Sequence, residues 1–80
     1  MQRIPVQSSD LRAVGYDVLS LVLEIEFHSG GIYQYYRVPI EIVDELLGAD
    51  SLGRYFARQI KNNKKYPCYQ VYPKKRWLRR

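Results

Sequence analysis

Residues 19–38 of the chain, LSLVLEIEFHSGGIYQYYRV, carry its clearest secondary-structure signal. From Leu19 to Phe27 every odd-numbered position is apolar, and this period of two is typical of a strand with one buried face. Gly30 and Gly31 follow in a short polar connection, where paired glycines supply the positive φ angles of a tight turn. Residues 32–38 are rich in tyrosine and suit a second strand. We therefore expect an antiparallel hairpin whose first strand turns its even-numbered residues to solvent.

The flanking segments predict one further strand and two helices. Residues 9–16 are expected to form a strand before the hairpin. Pro39 ends the hairpin, because it cannot donate to a ladder and suits the first turn of a helix. Apolar residues at helical spacing predict helices over 40–47 and 51–61, with Ser51 as the N-cap of the second. The expected fold is α+β: a small three-stranded antiparallel sheet packed by two short C-terminal helices, in the order β-β-β-α-α.

The chain of 80 residues has room for one small core, so we expect a single domain with a tail. The domain is expected over residues 1–66 and a basic C-terminal tail over 67–80. Within this tail, residues 68–72 alternate weakly between two prolines, which is consistent with a short edge strand. A basic run containing Trp77 follows.

Cysteine content and hydropathy predict a cytoplasmic location. Cys68 is the only cysteine, so no internal disulfide can form, as is usual in a reducing compartment. The first residues lack the apolar run of a secretory signal. The most hydrophobic stretch, residues 18–25, is too short to span a bilayer. We expect no membrane association.

Charge is distributed unevenly along the chain. All eight acidic residues lie in the first fifty positions, where three arginines leave a net charge of −5. Residues 54–80 contain ten lysines and arginines and no acid, a net charge of +10. Such asymmetry favours a polyanionic partner, although lysine and arginine also keep small domains soluble.

Several spaced motifs occur in one order over residues 3–66. They are Ser8-Ser9, Leu11, Val14-Gly15-Tyr16-Asp17, Gly30, Tyr33-x-Tyr35-x-x-Val38-Pro39, Ser51-x-Gly53-x-Tyr55-Phe56, Ile60-Lys61 and Tyr66. This set resembles the KTSC domain family, named for its occurrence at the C-terminus of some lysyl-tRNA synthetases and found also as single-domain bacterial proteins. The resemblance implies an RNA-binding role and no catalytic residue. The chain departs from the family at Ala57, where members often carry asparagine.

Enzymatic chemistry is not expected from this set of residues. One histidine, His28, and one cysteine cannot build an ordinary transition-metal site within one chain. A Ser-His-Asp set is arithmetically available from Ser8, Ser9 or Ser29 with His28 and Asp10 or Asp17. However, His28 falls in the predicted hairpin turn, where a solvated residue is the simpler interpretation. We predict no cofactor, no metal and no small-molecule substrate.

Two sets of residues are candidates for binding nucleic acid. Tyr33 and Tyr35 share one face of their predicted strand with Arg37, where the rings either stack on unpaired bases or pack as core beneath the helices. Arg54, Arg58 and Lys61 fall in one sector of the second helix. A continuous positive track for phosphates would add Lys64, Lys65, Lys74, Lys75 and Arg76, and Trp77 with Tyr69 or Tyr72 could add stacking contacts.

The leading hypothesis is a non-enzymatic module that binds RNA through this basic helix face and exposed tyrosines. The alternative is a protein-interaction module that docks an acidic partner or forms a homodimer through a strand edge.

Overall fold

The structure, a computed structural model, describes residues 1–73, which form five strands and two helices. These are β1 (Arg3–Pro5), β2 (Leu11–Asp17), β3 (Val22–Phe27), β4 (Ile32–Tyr35), α1 (Ile40–Leu47), α2 (Leu52–Gln59) and β5 (Cys68–Tyr72). The strands make one antiparallel sheet in the order β1-β2-β3-β4-β5. The predicted α+β class with two helices is confirmed, whereas the expected three-stranded sheet is wrong.

Strand β1 is one of the two additional strands, and its sequence carries no strand pattern. It has three residues, ends in a proline, and is held by pairing with β2, where Arg3 lies opposite Gly15. A Cβ atom on Gly15 would lie 2.8 Å from the carbonyl oxygen of Gln2. The two backbones approach this closely only because residue 15 has no side chain. A tertiary contact therefore creates the strand.

Strand β5 forms the other edge of the sheet. It pairs with β4, so that Cys68 lies opposite Tyr35 and Tyr69 lies opposite Gln34. The short edge strand expected between Pro67 and Pro73 is thereby confirmed.

The central hairpin is shorter at both ends than predicted. Strand β3 begins at Val22, because Leu21 adopts a φ of 59° in the preceding turn. Leu19 is consequently 93% exposed, and its expected place in the core is wrong. Strand β4 ends at Tyr35 rather than Val38, since Arg37 has a φ of 64°. Arg37 therefore does not continue the face of Tyr33 and Tyr35.

Both helices pack on one face of the sheet, as predicted. Val43 and Leu46 of α1 join Phe56 and Ile60 from the region of α2 in a single buried cluster. The sheet contributes Leu11, Val14, Leu23, Ile25 and Tyr35. Each helix has eight residues, and neither is long and apolar enough to cross a bilayer.

The opposite face of the sheet bears no helix among residues 1–73, yet it is not the solvated face expected from the alternation. Glu24 in its centre is only 6% exposed. Its carboxylate accepts hydrogen bonds from Arg3 and from Gln34 Nε2, the latter at 2.7 Å. The Tyr36 hydroxyl donates to Gln34 Oε1 at 2.8 Å. Neighbouring polar side chains thus cover this carboxylate and satisfy it, as buried charge requires.

Candidate nucleic-acid interface

Five cations of the predicted track, here called the basic track, lie at the surface of α2 and the segment that follows it. They are Arg54, Arg58, Lys61, Lys64 and Lys65, and all are exposed. Within residues 1–73 none of the five lies within 4.0 Å of a carboxylate oxygen. The ion pairs in that range instead join Arg3 and Arg12 to Glu24 and Glu26. The positive charge of the basic track is thus not held in contact ion pairs in the described part of the chain.

The basic track extends beyond the end of α2. Arg54 and Arg58 border a shallow hollow of about 190 Å³ that Asp50 also lines. Lys61 follows the C-cap residue of α2 and lines two different cavities. Arg54 and Arg58 thus lie on α2 itself, whereas Lys61 lies just beyond its C-terminal end.

The first of these cavities, here called the polar cleft, has a volume of about 480 Å³. It lies between α2, the segment before β2 and the turn that joins β3 to β4. Its polar lining consists of Ser9, Asp10, His28, Ser29 and Lys61, over a floor that includes Phe27, Gly53, Phe56 and Ala57. A cleft with one carboxylate, one ammonium and hydroxyl groups can both accept and donate hydrogen bonds.

The second cavity, here called the aromatic cleft, has a volume of about 420 Å³. It lies between the β3–β4 hairpin, β5 and the segment that joins α2 to β5. Its lining includes the rings of Phe27, Tyr33, Tyr35 and Tyr66, with Lys61, Asn62, Ser29 and Cys68 around them. Both clefts fall within the range of about 300–1,000 Å³ typical of small-ligand sites.

Tyr33 and Tyr35 face the helix side of the sheet, so the core alternative is the one observed. Tyr35 is 5% exposed and packs edge-to-face on Phe56 at a centroid distance of 5.4 Å. Burial raises the pKa of the Tyr35 hydroxyl, and a hydrogen bond with Cys68 adds to the effect. Tyr33 is half-buried and packs edge-to-face on Phe27 at 5.5 Å. These rings form a wall of the aromatic cleft, and neither stands on an open sheet surface.

The tyrosines that are well exposed lie on the edge strand instead. Tyr69 and Tyr72 of β5, the two residues considered for additional stacking, are 64% and 59% exposed. Tyr36 packs against Tyr69 with ring centroids 5.6 Å apart. Since neither Tyr69 nor Tyr72 lines the aromatic cleft, they form a separate aromatic surface at the edge of the sheet.

The candidate residues of the tail, Lys74, Lys75, Arg76 and Trp77, lie outside the residues that the structure describes. Their predicted role as a continuation of the basic track stays a prediction.

His28 has a structural role in the described conformation. Its Nε2 atom donates to the carbonyl oxygen of Ser8 at 2.9 Å, and its backbone N–H donates to the carbonyl oxygen of Asp10. The Ser8 hydroxyl accepts from the backbone N–H groups of Asp10 and Leu11, both at 3.2 Å. These bonds tie the β3–β4 turn to the segment before β2.

Most of the spaced motifs also have structural roles. The Ser51 hydroxyl accepts from the backbone N–H of Arg54 at 3.2 Å and caps α2. Gly53 allows α2 to approach Asp10, since a Cβ atom there would lie 3.2 Å from Oδ2 of that residue. The Tyr16 hydroxyl donates to the Val38 carbonyl at 2.5 Å. These contacts position the helices, and with them the two clefts.

The family model described as KTSC domain matches residues 7–66, three quarters of the chain. The chain belongs to the KTSC domain family. A KTSC domain protein from Yersinia pestis has a crystal structure that matches with a TM-score of 0.82 and 40% identity, covering 88% of this chain and 96% of that one. An uncharacterised protein of Stutzerimonas stutzeri is 52% identical over 61 residues, which is 76% of this chain and 86% of the relative.

The KTSC domain is also present in a much larger protein. A lysine–tRNA ligase of a Nostoc species is 40% identical over 60 residues, or 75% of this chain. That segment makes up 11% of the ligase, so the likeness concerns one part of it.

Proposed function

We propose that this KTSC domain is a non-enzymatic module that binds single-stranded RNA, with phosphates along the basic track and a base in the aromatic cleft. The observation that carries the proposal is the position of Lys61. This cation belongs to the basic track and also lines the aromatic cleft, so charge and rings lie at one place on the surface. Single-stranded nucleic acids are typically bound by this combination of a positive groove and aromatic stacking.

The occurrence of the same domain in a lysine–tRNA ligase supports a connection with nucleic acid. That enzyme acts on an RNA, and a domain that binds RNA would be useful within it.

The electrostatic part of the proposal rests on five exposed cations without a carboxylate in contact among residues 1–73. An unpaired surface cation is free to neutralise a phosphate, which releases a condensed counterion. Lys64 and Lys65 come soon after Lys61 in the segment that leads to β5, so the basic track runs from α2 past the aromatic cleft. The tail cations would extend it further.

The stacking part of the proposal rests on half-buried rings. Tyr33 and Tyr66 line the aromatic cleft and are partly exposed, whereas Tyr35 forms its deeper wall. A base inserted here would contact ring edges and faces already held in place by the core, so little conformational entropy would be lost on binding. Arg37 is not expected to take part in stacking, because the chain turns at this residue after β4 and does not continue the face of Tyr33 and Tyr35.

The salt dependence of RNA affinity tests this proposal. We expect the logarithm of the association constant for a labelled single-stranded RNA to fall linearly with the logarithm of salt, by about 0.7 per neutralised phosphate. Arg54→Gln/Arg58→Gln should reduce the magnitude of this slope by about 1.4 if both side chains contact phosphates. Fluorescence anisotropy over a range of salt concentrations measures the affinity and hence this slope.

The matched control is Arg12→Gln, because the guanidinium of Arg12 contacts Glu26 at 3.8 Å on the sheet face opposite the helices. It should leave the slope at the value of the unmodified protein. A flat salt response, or an equal loss in the control, would refute the proposed interface.

A protein-interaction role is the second candidate, and strand β5 is the observation that favours it. Its five residues carry no charge, and Tyr69, Val71 and Tyr72 are exposed along this sheet edge. Natural edge strands usually carry charges that prevent pairing with another sheet. Light scattering after size exclusion at two protein concentrations distinguishes a homodimer formed through β5 from a monomer.

A further inference from the structure

The polar cleft and the aromatic cleft are adjacent and share three residues, Phe27, Ser29 and Lys61. Phe27 is fixed between them, because its ring packs edge-to-face on Tyr33 on one side and on Phe56 on the other, at 5.5 and 5.6 Å. A ligand that fills both clefts must therefore have two compact parts joined by a link that passes Lys61. Since the Lys61 side chain is a cation, an anionic link fits best.

Two consecutive nucleosides joined by one phosphate have this chemistry. We infer that the paired clefts bind a dinucleotide step of single-stranded RNA, with Lys61 at the bridging phosphate, and that Asp10 makes the polar cleft selective against uracil. The inference rests on the proposed function and adds to it a second base site and a preference.

The two clefts differ in what they can recognise. The aromatic cleft offers rings, and stacking tolerates every base because every base has a π-face. The polar cleft contains the carboxylate of Asp10, and a carboxylate only accepts hydrogen bonds. Cytosine, adenine and guanine each carry an exocyclic amine that can donate to it. Uracil offers only its ring N3–H, which lies between two carbonyl oxygens that repel a carboxylate.

The Asp10 carboxylate is available for this contact. Within residues 1–73 no lysine, arginine or histidine nitrogen lies within 4.0 Å of it, and its Oδ2 atom lies close to Gly53 at the cleft floor. The backbone of Asp10 is held independently, since its N–H donates to the Ser8 hydroxyl and its carbonyl accepts from His28. The side chain can therefore be changed without removing the bonds that shape the cleft.

The experiment compares short fluorescein-labelled oligo(C) and oligo(U) of equal length at one salt concentration, by anisotropy. We expect oligo(C) to bind the unmodified protein about fivefold or more tightly, the lower end of the discrimination found for side chain–base hydrogen bonds. Asp10→Asn should abolish most of this preference, because an amide both donates and accepts. Stacking alone also favours some bases, but that contribution is unchanged by the substitution.

Asp44→Asn is the matched control, because it removes the same charge from an exposed position of α1 and should keep the preference. Circular dichroism of both variants verifies that they are folded. Binding of both oligonucleotides with equal affinity, or a preference that survives Asp10→Asn, would overturn the inference while leaving the proposed function intact. Absence of salt-dependent binding to either oligonucleotide would overturn both.

Discussion

Tyr55 links the two helices through a single hydroxyl group. Tyr55 lies in α2, and its hydroxyl donates to Oε1 of Glu45 in α1 at 2.6 Å. Burial of the ring, followed by this hydrogen bond, raises the pKa of Tyr55 from 10.0 to about 12. The residue belongs to the Ser51-x-Gly53-x-Tyr55-Phe56 motif, so this part of the motif contributes to the packing of the two helices.

The raised pKa of Tyr55 predicts how stability changes in alkali. An unfolded tyrosine ionises near pH 10, whereas folded Tyr55 keeps its proton up to about pH 12. The stabilisation is therefore complete below pH 10 and is lost as the pH rises through this window. Tyr55→Phe should show a shallower decline of unfolding free energy between pH 10 and 12, measured by urea unfolding.

At pH 8 the Tyr55 hydroxyl is protonated, because its pKa is raised to about 12, so Tyr55→Phe should differ there only by the lost hydrogen bond, about 1 kcal/mol. Part of the alkaline decline should persist in the variant, because burial also raises the pKa of Tyr35. Identical pH profiles for the two proteins would contradict the role assigned to the Tyr55–Glu45 bond.

Among the secondary-structure elements, three strands are joined on the helix-free face by the carboxylate of Glu24. Arg3 reaches it from β1, and Gln34 reaches it from β4. Arg3 also donates to Glu26 Oε1 at 3.3 Å. The hydrogen bond to Glu24 is the main reason that the pKa of Arg3 is raised. The short strand β1 is thus anchored by a side-chain network in addition to its backbone pairing.

This arrangement predicts a strong coupling between Arg3 and Glu24. Arg3→Leu should destabilise the protein by about 2–3 kcal/mol, because it leaves a buried carboxylate without its cation. The loss is somewhat smaller than for a fully buried pair, since Arg3 is itself partly exposed. The double variant Arg3→Leu/Glu24→Gln should recover at least half of this loss, since a neutral amide in place of the carboxylate can still bond to its neighbours. Chemical denaturation measures the free energy of unfolding of both variants.

The single variant Glu24→Gln completes the thermodynamic cycle and serves as its control. Strictly additive losses in the double variant would show that the two side chains act independently.

For the molecule as a whole, the two faces of the sheet differ in their chemistry. The helix side has the basic track and both clefts, whereas the opposite face contains the ion pairs of Arg3 and Arg12 with Glu24 and Glu26. A polyanion should therefore approach from the side of α2 and the β3–β4 turn.

A chemical-shift titration with a short single-stranded RNA tests this polarity. The largest changes are expected for the amides of Ser29, Lys61 and Asn62, which line the clefts, with much smaller changes for Glu24 and Gln34. The same titration at high salt provides the control, because it should suppress the shifts by weakening phosphate contacts. Shifts confined to the face of Glu24 would contradict the proposed orientation.

Local signals along the chain were sufficient to predict most of the individual elements. The β3–β4 hairpin, the two helices and the cap at Ser51 were predicted because their signals depend on neighbouring residues: a period of two, helical spacing and a hydroxyl at a helix start. The uneven distribution of charge could also be predicted, since it follows from counting the acidic and basic residues along the chain.

The remaining features are created by contacts between segments that are distant in the chain. Strand β1 exists because Gly15 admits a neighbouring backbone, and Glu24 is buried because Arg3 and Gln34 lie over it. The same holds for the clefts, which arise where a turn, a helix end and an edge strand meet around Lys61. Such features depend on long-range packing, for which the local pattern of residues along the chain carries no signal.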